Sequence, residues 1–216
     1  MIYENLGVRL IRLKREYLEL VRYWRNHPSI TPFMENNEPI TYEDQLKWFE
    51  KVNTFDNLFF VAEYNNQSIG LISGKGFNKE RTTGEGGIFI WEKTLLNSLI
   101  PIKLAIALLD LTFIYCNFQQ IYAHILSSNK RGIQFNKLLG YELEPNQENL
   151  SNQLYKLTKK MYLRKRPMLL RGLKSLHIEP KLIFSQEDIH SGYKQHFERH
   201  FLAEMVLLEF PKLIVI

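Results

Sequence analysis

A mixed α/β (α+β) chain, with a mostly antiparallel central sheet flanked by helices and a C-terminal helical extension, is what the sequence predicts. Three observations carry it. Apolar and polar residues alternate over residues 7–13, as in a half-buried strand. Residues 58–64 and 68–74 are two β-rich runs joined by Asn65, Asn66 and Gln67, a hairpin signal. Leu18, Leu20, Val21 and Trp24 recur instead at helical spacing. The resulting order is strand, two helices, three strands, helix, strand, helix, and a last strand or strand pair, which mixes both periods in one unit.

Taken in order, the first predicted helix covers residues 16–26, and His27-Pro28 stops it, because the residue before a proline avoids helical angles. Thr41 followed by Asp44 is a helix-start signature, with Leu46, Trp48 and Phe49 on the helix that follows. Residues 86–91 form another apolar strand, 99–118 a long and mostly buried helix, and 120–126 a strand. Residues 129–139 are an amphipathic helix stopped by Gly140, a typical C-terminal glycine. Residues 154–163 read as the last strand of the unit and 165–174 as a connector. Beyond it, 186–210 reads as one helix with the apolar stripe Phe197, Phe201, Met205 and Leu208, and 213–216 as a short strand. The expected organisation is a unit over residues 1–165 and an extension over 166–216.

Composition bounds the function. Apolar residues make up 45% and charged residues 24% of the 216, as in globular proteins, and the formal net charge is +5. A single cysteine, Cys116, excludes an intrachain disulfide, and residues 1–12 hold no signal-like apolar run, so the expected compartment is the cytoplasm. The apolar stretch over 100–114 is broken by Lys103 and Asp110, and no membrane partner is expected. Lys156, Lys159, Lys160, Arg164, Lys165, Arg166 and Arg171 follow one another without an acid. They read as a solvated strand edge and linker; the competing reading is a phosphate or nucleic-acid strip, and no nucleic-acid motif accompanies it. His190, His196 and His200 with Glu198 lack the order of a zinc motif, and no metal is expected.

Specific stretches carry more than element order. Trp24-Arg25-Asn26-His27-Pro28, Ile30, Phe33-Met34, Ile40-Thr41 and Trp48-Phe49 form an opening; Phe60-Val61-Ala62-Glu63 and Ile69-Gly70 form a hairpin. Glu85-Gly86-Gly87-Ile88-Phe89-Ile90 follows, then Asn129 to Ile133 and Lys137-Leu138-Leu139-Gly140-Tyr141. In this order they resemble the GNAT superfamily of N-acetyltransferases, in the branch of amino-sugar (pseudaminic-acid-type pathway) and ribosomal-protein N-acetyltransferases.

The resemblance implies acyl transfer from acetyl-CoA or another acyl-CoA to a primary amine, with a nucleotide-linked amino sugar as the candidate acceptor. A homodimer is a candidate assembly. The alternative is a GNAT-fold binding or assembly module without catalysis. In the family a glycine-rich loop at a helix N-terminus receives the pyrophosphate. The matching stretch, residues 95–101, has no glycine, which leaves Asn97, Ser98 and Lys103 as the polar candidates there. The resemblance also implies that backbone around Ile88, Phe89 and Ile90 polarises the thioester carbonyl, and that Asn129 lies near the pantetheine arm. The family's general-acid tyrosine falls on Asn136. Glu85 is the candidate base, with His27 second. Arg25, His27 and Met34 are the candidate acceptor contacts, the arginine for a phosphate or carboxylate. Asp110 and His124, in apolar surroundings, read as structural.

Overall fold

The computed structural model describes residues 1–35, 37–173, 179–202 and 213–216. It opens with β1 (Ile2–Asn5) and β2 (Val8–Arg12), turned at Leu6 and Gly7, both at positive φ. Helices α1 (Leu18–Arg25) and α2 (Tyr42–Val52) follow. Thr41 caps α2 through the Asp44 backbone N–H, and the Asp44 carboxylate answers to the Thr41 N–H, the box the sequence announced. Next come β3 (Leu58–Tyr64), β4 (Gln67–Lys75) and β5 (Thr83–Ile90). The β3–β4 turn is the expected asparagine pair, with Asn65 and Asn66 in the left-handed region that a primed hairpin turn needs.

The chain continues with α3 (Ile100–Asp110), β6 (Gln120–Leu126), α4 (Lys130–Leu139), β7 (Glu142–Leu143) and β8 (Asn152–Thr158). Then follow α5 (Lys159–Gly172), β9 (Lys181–Phe184), α6 (Gln186–His190), α7 (Tyr193–His200) and β10 (Leu213–Val215). The described strands make one 10-stranded sheet in the order β10-β9-β1-β2-β3-β4-β5-β6-β8-β7. Its neighbours are antiparallel except β5/β6 and β9/β10.

Each face of the sheet has its own core. Leu10, Phe60 and Ile72 on one face pack with Leu104, Ile106 and Phe113 of the central helix, Tyr162 of α5 and Phe197 of α7. Val61, Leu71 and Trp91 on the other pack with Leu18 and Val21 of α1 and Phe49 of α2.

Several expectations need correction. The strand expected over 154–163 stops at Thr158, whose hydroxyl accepts from the Met161 N–H and starts α5. The expected connector is therefore mostly helix, and of the basic run Lys156 lies on β8 while the other residues lie on α5. The helix expected over 99–118 is α3 followed by a π-helical segment, Leu111–Tyr115, where the Thr112 hydroxyl donates to the Leu108 carbonyl. The helix expected over 186–210 is broken at Gly192, with φ +75°. Its apolar residues Phe197 and Phe201 are buried as expected, whereas Met205 and Leu208 lie outside the described residues. The expected terminal strand forms as β10 and pairs with β9, an element missed along with β1.

Candidate active site

The sheet opens between β5 and β6. Pairing joins Thr83, Gly84 and Glu85 to Gln120, Ile121 and Tyr122 and goes no further. Beyond it β5 stays with β4 and β6 stays with β8, so the strands diverge as a V with its apex at Glu85 and Gly86. The glycines keep the mouth open. A Cβ on Gly86 would meet Ile121 Cγ2 at 3.3 Å and the Tyr141 hydroxyl at 3.7 Å, and one on Gly87 would meet Ser73 Oγ at 3.1 Å.

Strand alternation assigns the faces. Ile88 and Ile90 point to the α3 side, while Phe89 points to the α1/α2 side, as Glu85 and Gly87 therefore do. On β6, Ile121, Ala123 and Ile125 are buried on the α3 side, which puts His124 on the same face as Glu85. The expectation that His124 is buried among apolar groups is thus overturned: its side chain is 44% exposed and its Nδ1 lies 3.2 Å from Glu85 Oε2. Glu85 Oε1 lies 3.2 Å from Lys75 Nζ on β4. On the opposite face the Tyr141 hydroxyl sits beneath the apex; burial pushes this phenol up, so it keeps its proton. Asn136 does not take that place, because its Nδ2 donates to the Gly132 carbonyl of its own helix.

At the wide end of the V stand the N-termini of α3 and α4. Ser98 accepts from the Ile100 N–H at 3.1 Å, Pro101 has no N–H, and the Lys103 N–H goes to the Leu99 carbonyl. The N–H groups of Asn97, Leu99 and Ile102 find no acceptor among the described residues. Asn129 caps α4 through the Gly132 N–H at 2.8 Å, with its amide lying where a Cβ on Gly132 would stand. From the same first turn Arg131 reaches back, its Nη2 donating to the Leu96 carbonyl and to Asn97 Oδ1 at 2.8 Å. A pyrophosphate fits this arrangement: it would be held by the unused N–H groups, with the charge of Arg131 beside it. Arg131 escaped the sequence reading because nothing in its spacing ties it to a loop more than thirty residues earlier.

The acceptor candidates lie on the α1/α2 face. Arg25 sits 5.6 Å over the Trp48 ring, has no acid partner among the described residues, and has its guanidinium pushed down by burial. Trp48 stands edge-on to Phe59, which pairs with Ser73, which pairs with Gly87. Arg25 therefore connects through Trp48 and Phe59 to the Ser73–Gly87 row, two residues along β5 from Glu85 and on the same face. His27 is turned elsewhere, its Nδ1 at 2.8 Å from Ser29 Oγ and its ring against Tyr23 and Trp24. Met34 packs on the α1/α2 core.

The profile of the acetyltransferase (GNAT) domain matches residues 11–156. The chain belongs to the GNAT acetyltransferase family. It is an acyl-CoA-dependent N-acetyltransferase, and acetyl-CoA is its co-substrate. Solved structures share the fold. A spermidine N-acetyltransferase from Vibrio cholerae, in complex with CoA and spermine, has 20% identity and a TM-score of 0.60 over 74% of this chain and 99% of its own. An aminoglycoside acetyltransferase in complex with coenzyme A has 17% identity and a TM-score of 0.63 over 74% of this chain and 99% of its own. An acetyltransferase described as putative, from T. thermophilus, has 18% identity and a TM-score of 0.65 over 80% of this chain and 96% of its own. No curated relative matches the chain.

Proposed function

We propose that the protein acetylates the primary amine of a small acceptor that also carries an anionic group, a nucleotide-linked amino sugar. The observation that carries this is Arg25, a half-buried guanidinium without an acid partner among the described residues, lying over the Trp48 ring and linked through Phe59 to the Ser73–Gly87 row, two residues along β5 from Glu85. An arginine taken out of water without a counter-charge is costly, and a ligand phosphate removes that cost while accepting a forked pair of hydrogen bonds. With the diphosphate at Arg25, the acceptor amine would point along the α1/α2 face toward Glu85 and the mouth of the V. Acetyl-CoA supplies the activated acyl group. The chain's own work is to hold the amine there, to remove its proton, and to keep the Tyr141 phenol below the apex as a hydrogen-bond donor toward the leaving thiolate.

The test is thiol release from acetyl-CoA with uridine diphosphate glucosamine, spermidine and an aminoglycoside at equal concentrations. The sugar nucleotide is expected to give the highest kcat/KM. Arg25→Ala should raise its KM by roughly ten- to a hundredfold, the loss of one charged contact of about 1.5–3 kcal/mol, with kcat little changed. Preference for the polyamine, unaffected by Arg25→Ala, would sink the proposal.

A further inference from the structure

We infer that His124, not Glu85, takes the proton from the acceptor amine, and that Glu85 positions it. This rests on the N-acetyltransferase reading of the same site. Both oxygens of Glu85 are already engaged, Oε1 by Lys75 Nζ and Oε2 by His124 Nδ1, each at 3.2 Å. A carboxylate held between an ammonium and an imidazole nitrogen has little left with which to receive a proton from an amine. Its position against Nδ1 favours the ring tautomer that carries its proton there, which leaves the Nε2 lone pair as the acceptor. The His124 side chain is 44% exposed on the α1/α2 face, toward which the proposed acceptor lies. Its register partner on β8 is Leu154, and the diagonal charge on that strand, Lys156 opposite Tyr122, is paired with Glu144 at 2.6 Å.

The step balances as follows. The acceptor ammonium gives one proton to His124 Nε2 and becomes the free amine. The amine nitrogen bonds to the thioester carbonyl carbon and the carbon–sulfur bond breaks. A second proton from that nitrogen ends on the departing sulfur, giving the acetamide and the thiol, and the imidazolium returns its proton to water.

The experiment compares His124→Ala, Glu85→Gln and Glu85→Ala with the parent protein, using acetyl-CoA and the best acceptor of the panel above. His124→Ala should lower kcat by roughly a hundredfold or more, with the calorimetric affinity for acetyl-CoA unchanged. Added 4-methylimidazole should restore part of the lost rate, and the acid limb of the kcat–pH profile should vanish in the variant. Glu85→Gln, which still presents an oxygen to Nδ1, should lose less than Glu85→Ala. His124→Ala turning over within threefold of the parent, or Glu85→Gln proving as inactive as Glu85→Ala while His124→Ala stays active, would overturn the assignment and leave the enzyme reading intact. Should no amine of the panel be acetylated, the acceptor reading fails, and nitrogen-15 NMR of the ring still decides the tautomer. A neutral ring protonated at Nδ1, lost in Glu85→Ala, supports the inference; a ring protonated at Nε2 refutes it.

Discussion

Replacing Arg131 by alanine tests how a loop without glycine can hold a pyrophosphate. The loop before α3 has committed much of its capacity: Ser98 occupies the Ile100 N–H, Pro101 offers none, and the Lys103 N–H is used by Leu99. Arg131 compensates in two ways. Its Nη2 fixes the loop through the Leu96 carbonyl and Asn97 Oδ1, and its charge lies at the meeting of two helix N-termini. The side chain is exposed, so its worth is discounted for solvent screening; a charged contact there is worth about 1.5–2 kcal/mol, the low end for a charge-assisted hydrogen bond. Arg131→Ala should therefore weaken acetyl-CoA binding roughly ten- to thirtyfold by calorimetry. Raising the salt concentration should shrink the gap between parent and variant. The melting temperature should hardly move, since the residue is exposed and bonds only a loop. A dissociation constant within twofold of the parent, with the fold intact, would refute the substitution of arginine for glycine-rich backbone.

Asp110→Ala should destabilise the fold by about 3–5 kcal/mol in urea titration, because it strands the Arg166 charge and the buried Tyr162 hydroxyl that Asp110 now satisfies at 2.6, 2.8 and 2.5 Å. Asp110→Leu combined with Arg166→Met should recover most of that loss, and a single-variant loss under about 1 kcal/mol would contradict the accounting. A pH effect follows from His196, beside Asp56, Arg81 and His200: burial first and then His200 push its ring below the ordinary 6.5. The unfolded chain then binds more protons between the depressed value and 6.5. Stability from this group is full above 6.5 and is lost as the pH falls through that window. His196→Gln should flatten part of the acid decline in melting temperature, and an identical decline in the variant would rule His196 out as its source.

What was legible in the sequence was what local chemistry dictates. The Thr41 box, the Asn65–Asn66 turn and the Gly140 stop each depend on a few adjacent residues, and each formed as read. The extension was harder. Its strand β9 is four residues long and gains its meaning from pairing with β1 near the other end of the chain, which no window of sequence contains. The start of α5 was missed because residues 154–163 read as one strand, whereas the Thr158 hydroxyl takes the Met161 N–H and turns the chain into a helix. At the site the same division holds. Glu85 could be singled out because the resemblance puts an acid beside the acyl-carrying strand, whereas its partners could not. His124 lies on a strand whose alternate residues are apolar, and only knowing which face the sheet buries separates it from them. Arg131 matters through a contact with a loop that its own helix does not touch in sequence. The acid position read as Asn136 has turned into its own helix, while Tyr141, the residue after Gly140, brings a hydroxyl under the apex from the other face. The polar groups that reach the apex and the loop therefore come from elements other than those the sequence pointed to. The backbone opening between β5 and β6, which does not depend on any single side chain, is the feature kept intact.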